Sequence, residues 1–104
     1  MINIFILEKL AEEFRRSRRY SRDLSLILYD FDHFKKINDT HGHPAGDQIL
    51  KKTVSVIVRN VRKEDICGRY GGEEFGIILP ETPISEGLLL ANKLCQLVQK
   101  TKFE

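Results

Sequence analysis

The chain has 104 residues, 41% of them hydrophobic and 31% charged, with a formal net charge of +2. That length allows one domain with a real but modest core, and so small a net charge argues neither for nor against a polyanionic partner. No stretch is apolar for long enough to span a bilayer, and Met1 to Leu10 carries Glu8 and Lys9, so neither a membrane span nor a signal peptide is expected. The expectation is a soluble, cytoplasmic domain without membrane contact of its own, whatever anchors a parent protein.

Taken in order, Ile2 to Arg19 has apolar residues at Ile6, Leu7, Leu10, Ala11 and Phe14, which is helical spacing. The basic residues Arg15, Arg16, Arg18, Arg19 and Arg22 cluster at its end and read as a solvated face, not a nucleic-acid patch. Leu24 to Tyr29 is a nearly continuous apolar run closing on Asp30. Its length and composition fit a central, two-side-covered strand better than a helix. Asp30 to Asp39 follows as a short helix, and Thr40-His41-Gly42-His43-Pro44 as a loop. A longer helix is expected from about Ala45 to Arg62, with Ile49, Leu50, Val54, Ile57, Val58 and Val61 three and four apart.

Arg62 to Asp65 then turns the chain into a hairpin. Its strands are the short run at Ile66 and Cys67 and a cleaner one over Phe75, Ile77, Ile78 and Leu79, ended by Pro80. Gly71-Gly72 between them accepts the positive φ of a tight turn. Thr82-Pro83 reads as N-cap and first turn of a last helix that buries Leu88, Ala91, Leu94, Cys95 and Val98. Phe14, Leu10 and the Leu88 to Leu90 run are expected in the core, Cys67 and Cys95 as inert thiols. His41 and His43 lack a third ligand nearby and read as loop structure, and His33 reads as packing or capping near the short helix. The element order predicts an α+β sandwich, ferredoxin-like or palm-type, with helices packed on an antiparallel sheet.

The candidate chemistry gathers at the glycine turn. Arg69-Tyr70-Gly71-Gly72-Glu73-Glu74-Phe75-Gly76 sets two carboxylates beside backbone that no side chain shields. Such a group suits a hard divalent cation carrying phosphates, although a solvated acidic hairpin tip would look the same. If Phe75 to Leu79 pairs antiparallel with Leu24 to Tyr29, Asp30 arrives at the same sheet edge as Glu73, and two converging carboxylates make a better metal site than one. The helix start at Phe31 to Lys35 offers N–H groups to phosphate, with Lys35 as a mobile charge. Asn38 and Asp47 flank the Gly-His-Pro loop, and an amide beside a carboxylate can read a guanine edge. Metal end, phosphate helix and base-reading end together describe a nucleoside triphosphate pocket.

At these residues the chain resembles a known family. Asp30-Phe-Asp32-His-Phe34-Lys35-Lys-Ile-Asn38-Asp39-Thr-His-Gly42-His43-Pro-Ala-Gly46-Asp47, followed by Arg-Tyr-Gly71-Gly72-Glu73-Glu74-Phe75, is similar to the GGDEF domain of diguanylate cyclases, over about Glu8 to Val98. The resemblance implies condensation of two GTP into cyclic di-GMP and pyrophosphate by a homodimer of facing domains. It implies that Asp30, the Phe31 carbonyl and Glu73 hold Mg²⁺ or Mn²⁺, and that Asn38 and Asp47 bind guanine. Phe34 and Lys35 would contact phosphates, and Gly71 and Gly72 would admit the nucleotide. Glu74 would assist deprotonation of the attacking 3′-hydroxyl. It also implies an inhibitory cyclic di-GMP site at Arg62 and Asp65; the plainer reading there is a helix-end arginine paired with a nearby aspartate.

Against the family pattern the chain is short at both ends, a partial domain over residues 1–104. It lacks an N-terminal Asp-x-Leu-Thr-Gly-Leu stretch and the later strands and helix. This predicts an open sheet edge along Leu24 to Tyr29, weakened GTP binding and doubtful turnover. The alternative is a catalytically inactive module that binds GTP or cyclic di-GMP and regulates something else.

Overall fold

The computed structural model describes residues 4–30, 43–69 and 74–100, with the backbone alone at 4, 30, 43–47, 49 and 99–100. In chain order the elements are α1 (Ile4–Tyr20), β1 (Leu24–Asp30), α2 (His43–Asn60), β2 (Ile66–Arg69), β3 (Glu74–Pro80) and α3 (Ile84–Lys100). The expected short helix over 30–39, and the loop after it up to residue 42, lie outside the described residues apart from Asp30, which ends β1.

The three strands form one antiparallel sheet in the order β1-β3-β2. The α+β architecture is as the sequence predicts. Directly opposed residues of antiparallel strands point to the same side, so the register sorts the side chains into two faces. Pairs such as Ile27↔Ile77 and Cys67↔Ile77 lie on one face, and Leu26↔Ile78 and Gly68↔Gly76 on the other. The first face carries the core: Ile77 and Leu79 pack with Ile57 of α2 and Leu94 of α3, joined by Ile27, Tyr29, Val61, Cys67 and Leu90. Tyr29 of β1 stacks on Phe75 of β3 with ring centroids 5.2 Å apart.

α1 covers the second face. Its buried Ile6 sits so close to Gly68 that a Cβ there would lie 2.7 Å from the Ile6 side chain, which only glycine permits. At the other end of the sheet, Gly87 lets α3 approach β1, since a Cβ would stand 3.1 Å from Ser25 Cβ. α1 stops in a Schellman arrangement: Ser21 takes φ 53 and the Arg22 amide donates to the Ser17 carbonyl at 2.9 Å.

Four expectations need correction. Leu24 to Tyr29 reads as a central strand, yet among the described residues β1 has β3 as a neighbour on one side alone. Phe14 of α1 is exposed, and so are Leu88, Leu89 and Cys95, because Gly87, Leu90 and Leu94 form the stripe of α3 that meets the sheet. α2 ends at Asn60 and not Arg62, because the Arg62 amide donates to the Asp65 carboxylate at 2.8 Å and leaves the helical ladder. Thr82 is not the N-cap of α3. The Gly87 amide donates to the Pro83 carbonyl at 3.0 Å, which makes Pro83 the cap, while the Thr82 hydroxyl donates to the Pro80 carbonyl at 3.0 Å.

Candidate functional site

Two groups of candidate residues fall at opposite ends of the sheet. β1 ends at Asp30 where β3 begins at Glu74, and the two are directly opposed in the ladder. This is the convergence that antiparallel pairing demands, and it brings the backbone of Asp30 beside the residue after Glu73. Glu74 is exposed. The side chains of Asp30 and Asp47, and the residues Phe31, Phe34, Lys35, Asn38, Gly71, Gly72 and Glu73, lie outside what the structure describes. Asp47 is by backbone the fifth residue of α2. Aspartate and glutamate supply the oxygen donors that a hard divalent cation takes, and what the structure brings together is the backbone of Asp30 and Glu74. Among the described residues no cluster of three or more His, Cys, Asp or Glu is formed.

The other end holds Arg62 and Asp65. β2 starts at Ile66 opposite Ile78, so the turn before it lies near Pro80. The Asp65 side chain is 1% exposed and accepts from Arg62 three times: the backbone amide at 2.8 Å, Nη2 at 2.9 Å and, more weakly, Nε at 3.4 Å. Arg62 Nη2 also donates to the Pro80 carbonyl at 3.0 Å and the Thr82 hydroxyl at 2.6 Å, and Nε lies 3.3 Å from Glu64. Arg62 is thus a clasp between the α2–β2 turn and the β3–α3 corner, and Thr82 passes the link on, its carbonyl accepting from Ser25 Oγ of β1 at 2.7 Å. The bond to Asp65 first, and its charge with that of Glu64, hold the guanidinium pKa above its ordinary value.

The pairing that the plainer reading expected is therefore present. It leaves the guanidinium 47% exposed on the rim of a cavity of about 190 Å³ lined by Glu13, Arg16, Arg62, Glu64, Pro80 and Glu81. The Thr82 contact was not legible in the sequence. A threonine before proline signals a helix cap, and nothing local says that an arginine twenty positions upstream takes its hydroxyl.

Comparison with known proteins fits this arrangement of paired strand ends and helices. The family model described as "Diguanylate cyclase, GGDEF domain" matches residues 3–104. The diguanylate cyclase DosC of Escherichia coli strain K12 is 42% identical over 100 residues, which is 96% of this chain and 22% of that protein. The active GGEEF domain of a diguanylate cyclase from Vibrio cholerae superposes with a TM-score of 0.85 at 35% identity, covering 89% of this chain and 60% of that one. The GGDEF domain of DgcB from Caulobacter crescentus, solved in complex with cyclic di-GMP, gives 0.81 at 32% identity over 86% of this chain and 52% of that one.

The chain belongs to the GGDEF family of diguanylate cyclase domains. It spans less than a quarter of DosC, at 22% of that protein's length. Among the described residues no helix is long and apolar enough to cross a membrane.

Proposed function

We propose that this chain is the nucleotide-binding part of a diguanylate cyclase, which condenses two GTP molecules into cyclic di-GMP and pyrophosphate. One observation carries the reading: the β1–β3 register sets the backbone of Asp30 opposite Glu74 at one sheet end, in a chain of GGDEF membership.

In this reading Asp30, Glu73 and the Phe31 carbonyl hold a divalent cation, Mg²⁺ or Mn²⁺. When bound, that ion offsets charge on the phosphate oxygens and acidifies the sugar hydroxyl. Asn38 and Asp47 take the guanine edge: the carboxylate accepts from the ring N–H and exocyclic NH₂, and the amide meets the remaining polar atoms. Lys35 and the backbone near Phe34 bind phosphate, and Gly71-Gly72 leaves room for it. Glu74 accepts the proton of the attacking 3′-hydroxyl. The 3′-oxygen of one GTP bonds to the α-phosphorus of the other and pyrophosphate leaves; a second, reciprocal step closes the ring. One domain holds one GTP, so the reaction needs two domains facing each other, and positioning supplies much of the acceleration.

Product inhibition is assigned to Arg62 at the far end of the sheet. The exposed rim of its guanidinium meets phosphate or a guanine edge, while Asp65, buried beneath it, fixes its orientation. The two ends of β3 are about 20 Å apart at the rise of an antiparallel strand, so cyclic di-GMP at Arg62 leaves the GTP end uncovered. Inhibition would then be non-competitive with GTP.

Calorimetric titration tests the reading. GTP with Mg²⁺ is expected to bind the chain and to lose about tenfold or more in affinity on Asp47→Ala, because the guanine donors lose their acceptor. Cyclic di-GMP is expected to bind the unmodified chain and not the Arg62→Ala variant. GTP binding that Asp47→Ala leaves unchanged would remove the basis for the guanine assignment.

A further inference from the structure

We propose that Glu64 is a specificity-determining residue of the Arg62 cavity, where its carboxylate and the Arg62 guanidinium together read the Watson–Crick edge of one guanine of cyclic di-GMP. The inference rests on the reading that cyclic di-GMP binds at Arg62. It adds which part of that ligand enters the cavity and which side chain selects it.

Most donors of Arg62 are already engaged. Nη2 carries two hydrogens and has three acceptors: Asp65 Oδ1 at 2.9 Å, the Pro80 carbonyl at 3.0 Å and Thr82 Oγ1 at 2.6 Å. Nε lies 3.4 Å from Asp65 Oδ2 and 3.3 Å from Glu64 Oε1. Among the described residues, Nη1 is the one nitrogen of the group without an acceptor. The guanidinium therefore offers a ligand a single nitrogen with two donors. A two-nitrogen fork, the arrangement that grips a phosphate, is spent on Asp65.

The cavity lining points the same way. Glu13, Glu64 and Glu81 set three carboxylates against the guanidiniums of Arg16 and Arg62. Such a balance repels phosphate and suits a neutral group rich in donors. A guanine edge is that kind of group, with the acceptor O6 followed by the donors N1–H and N2–H. Nη1 followed by the two oxygens of Glu64 is its complement: one donor, then two acceptors. Adenine has an amine in place of O6 and a bare ring nitrogen in place of N1–H. It would set donor against donor and lone pair against carboxylate.

Glu64 is singled out among the nearby acids by its partners. The Asp65 side chain is 1% exposed and lies beneath Arg62, so it orients the guanidinium and does not reach a base. Glu13 is paired with Arg16, and Glu81 with Arg22, each at 3.7 Å. Glu64 is paired with Arg62 itself and is 56% exposed, so its carboxylate stands in solvent beside the donor it would work with. An exposed pair of this kind is weak, and re-aiming the carboxylate at a base costs little.

Calorimetric titration with three cyclic dinucleotides tests the assignment: cyclic di-GMP, its hypoxanthine analogue, which lacks the 2-amino group, and cyclic di-AMP. The unmodified chain is expected to prefer guanine over hypoxanthine by about tenfold or more and to bind the adenine compound more weakly still. In Glu64→Ala the preference over hypoxanthine should fall to within about twofold, because the 2-amino group has lost its acceptor. Glu81→Ala, which removes a carboxylate from the same cavity, should leave the preference as it was. If Glu64 only repelled phosphate, Glu64→Ala would tighten guanine and hypoxanthine compounds alike and keep their ratio. That result would overturn the assignment to Glu64 while leaving the Arg62 site in place. Failure of cyclic di-GMP to bind the unmodified chain would overturn the site and the assignment together.

Discussion

β1 and β3 are written in nearly the same alphabet, LSLILYD against EFGIILP, and each has seven residues. Their fates differ. Every residue of β3 from Phe75 to Leu79 is buried, whereas β1 buries Ser25 alone among its described side chains and exposes Leu26 and Leu28. The difference comes from position. β3 has a strand on each side and helices over both faces, while among the described residues β1 has one strand neighbour and α1 leans chiefly toward β2 and β3. An apolar run thus predicts that a strand exists and leaves open how much of it the fold covers.

The sharpest break of this comparison is truncation of one residue in each strand. Ile77→Ala, at a fully buried position, should cost about 2–5 kcal/mol, and Leu28→Ala less than about 1 kcal/mol. Urea denaturation of the two variants measures the gap; equal losses would mean that β1 is covered as β3 is. Next is Gly68→Ala, which sets a methyl 2.7 Å from Ile6 where α1 crosses β2. A loss of about 1–3 kcal/mol is expected, partly relieved in the Gly68→Ala, Ile6→Ala double variant. No loss would show that α1 does not seat on β2.

Arg62→Ala probes what fastens the far end of β3. It removes the bonds to Pro80 and Thr82 and leaves the Asp65 carboxylate, of its three bonds to residue 62, the one from the backbone amide. Because the guanidinium is half exposed, the expected cost is only about 1–2 kcal/mol. The consequence for ligand binding is practical: lost cyclic di-GMP binding in Arg62→Ala is interpretable only alongside its melting curve.

The smallest effect is alkaline. Burial, with the Cys67 charge second, pushes the Tyr29 phenol above its ordinary 10.0, and burial with Asp65 pushes the Cys67 thiol above 9.0. Both groups hold their protons longer when folded. Stability from them is full below those ordinary values and falls as pH climbs past about 9, since the unfolded chain ionises first. Melting temperature should decline there, with a shallower slope in Tyr29→Phe. A flat profile to pH 11 would contradict burial of both groups.

Much of the fold was legible because periodicity and glycine–proline punctuation are local. The described helices and the strand ending at Pro80 follow from patterns within a few residues, and pairing the two apolar runs antiparallel then brings Asp30 to Glu74. What was not legible depends on tertiary choice. The α3 stripe could rotate by one position, and the structure chose Gly87, Leu90 and Leu94 because Gly87 alone lets the helix touch Ser25. Thr82 looked like a cap until Arg62 claimed its hydroxyl. For the candidate site, motif spacing proposes Asp30, Glu73 and Glu74 together, and the β1–β3 register adds the backbone juxtaposition of Asp30 and Glu74.

The proposed function requires one sheet to carry a GTP end at Asp30 and Glu74 and a cyclic di-GMP end at Arg62. Amide chemical-shift mapping with each ligand tests it most directly. GTP with Mg²⁺ is predicted to move the Asp30 and Glu74 resonances and leave Arg62 and Asp65 in place; cyclic di-GMP is predicted to do the reverse. GTP shifts centred on Arg62 and Asp65, with Asp30 and Glu74 unmoved, would contradict it.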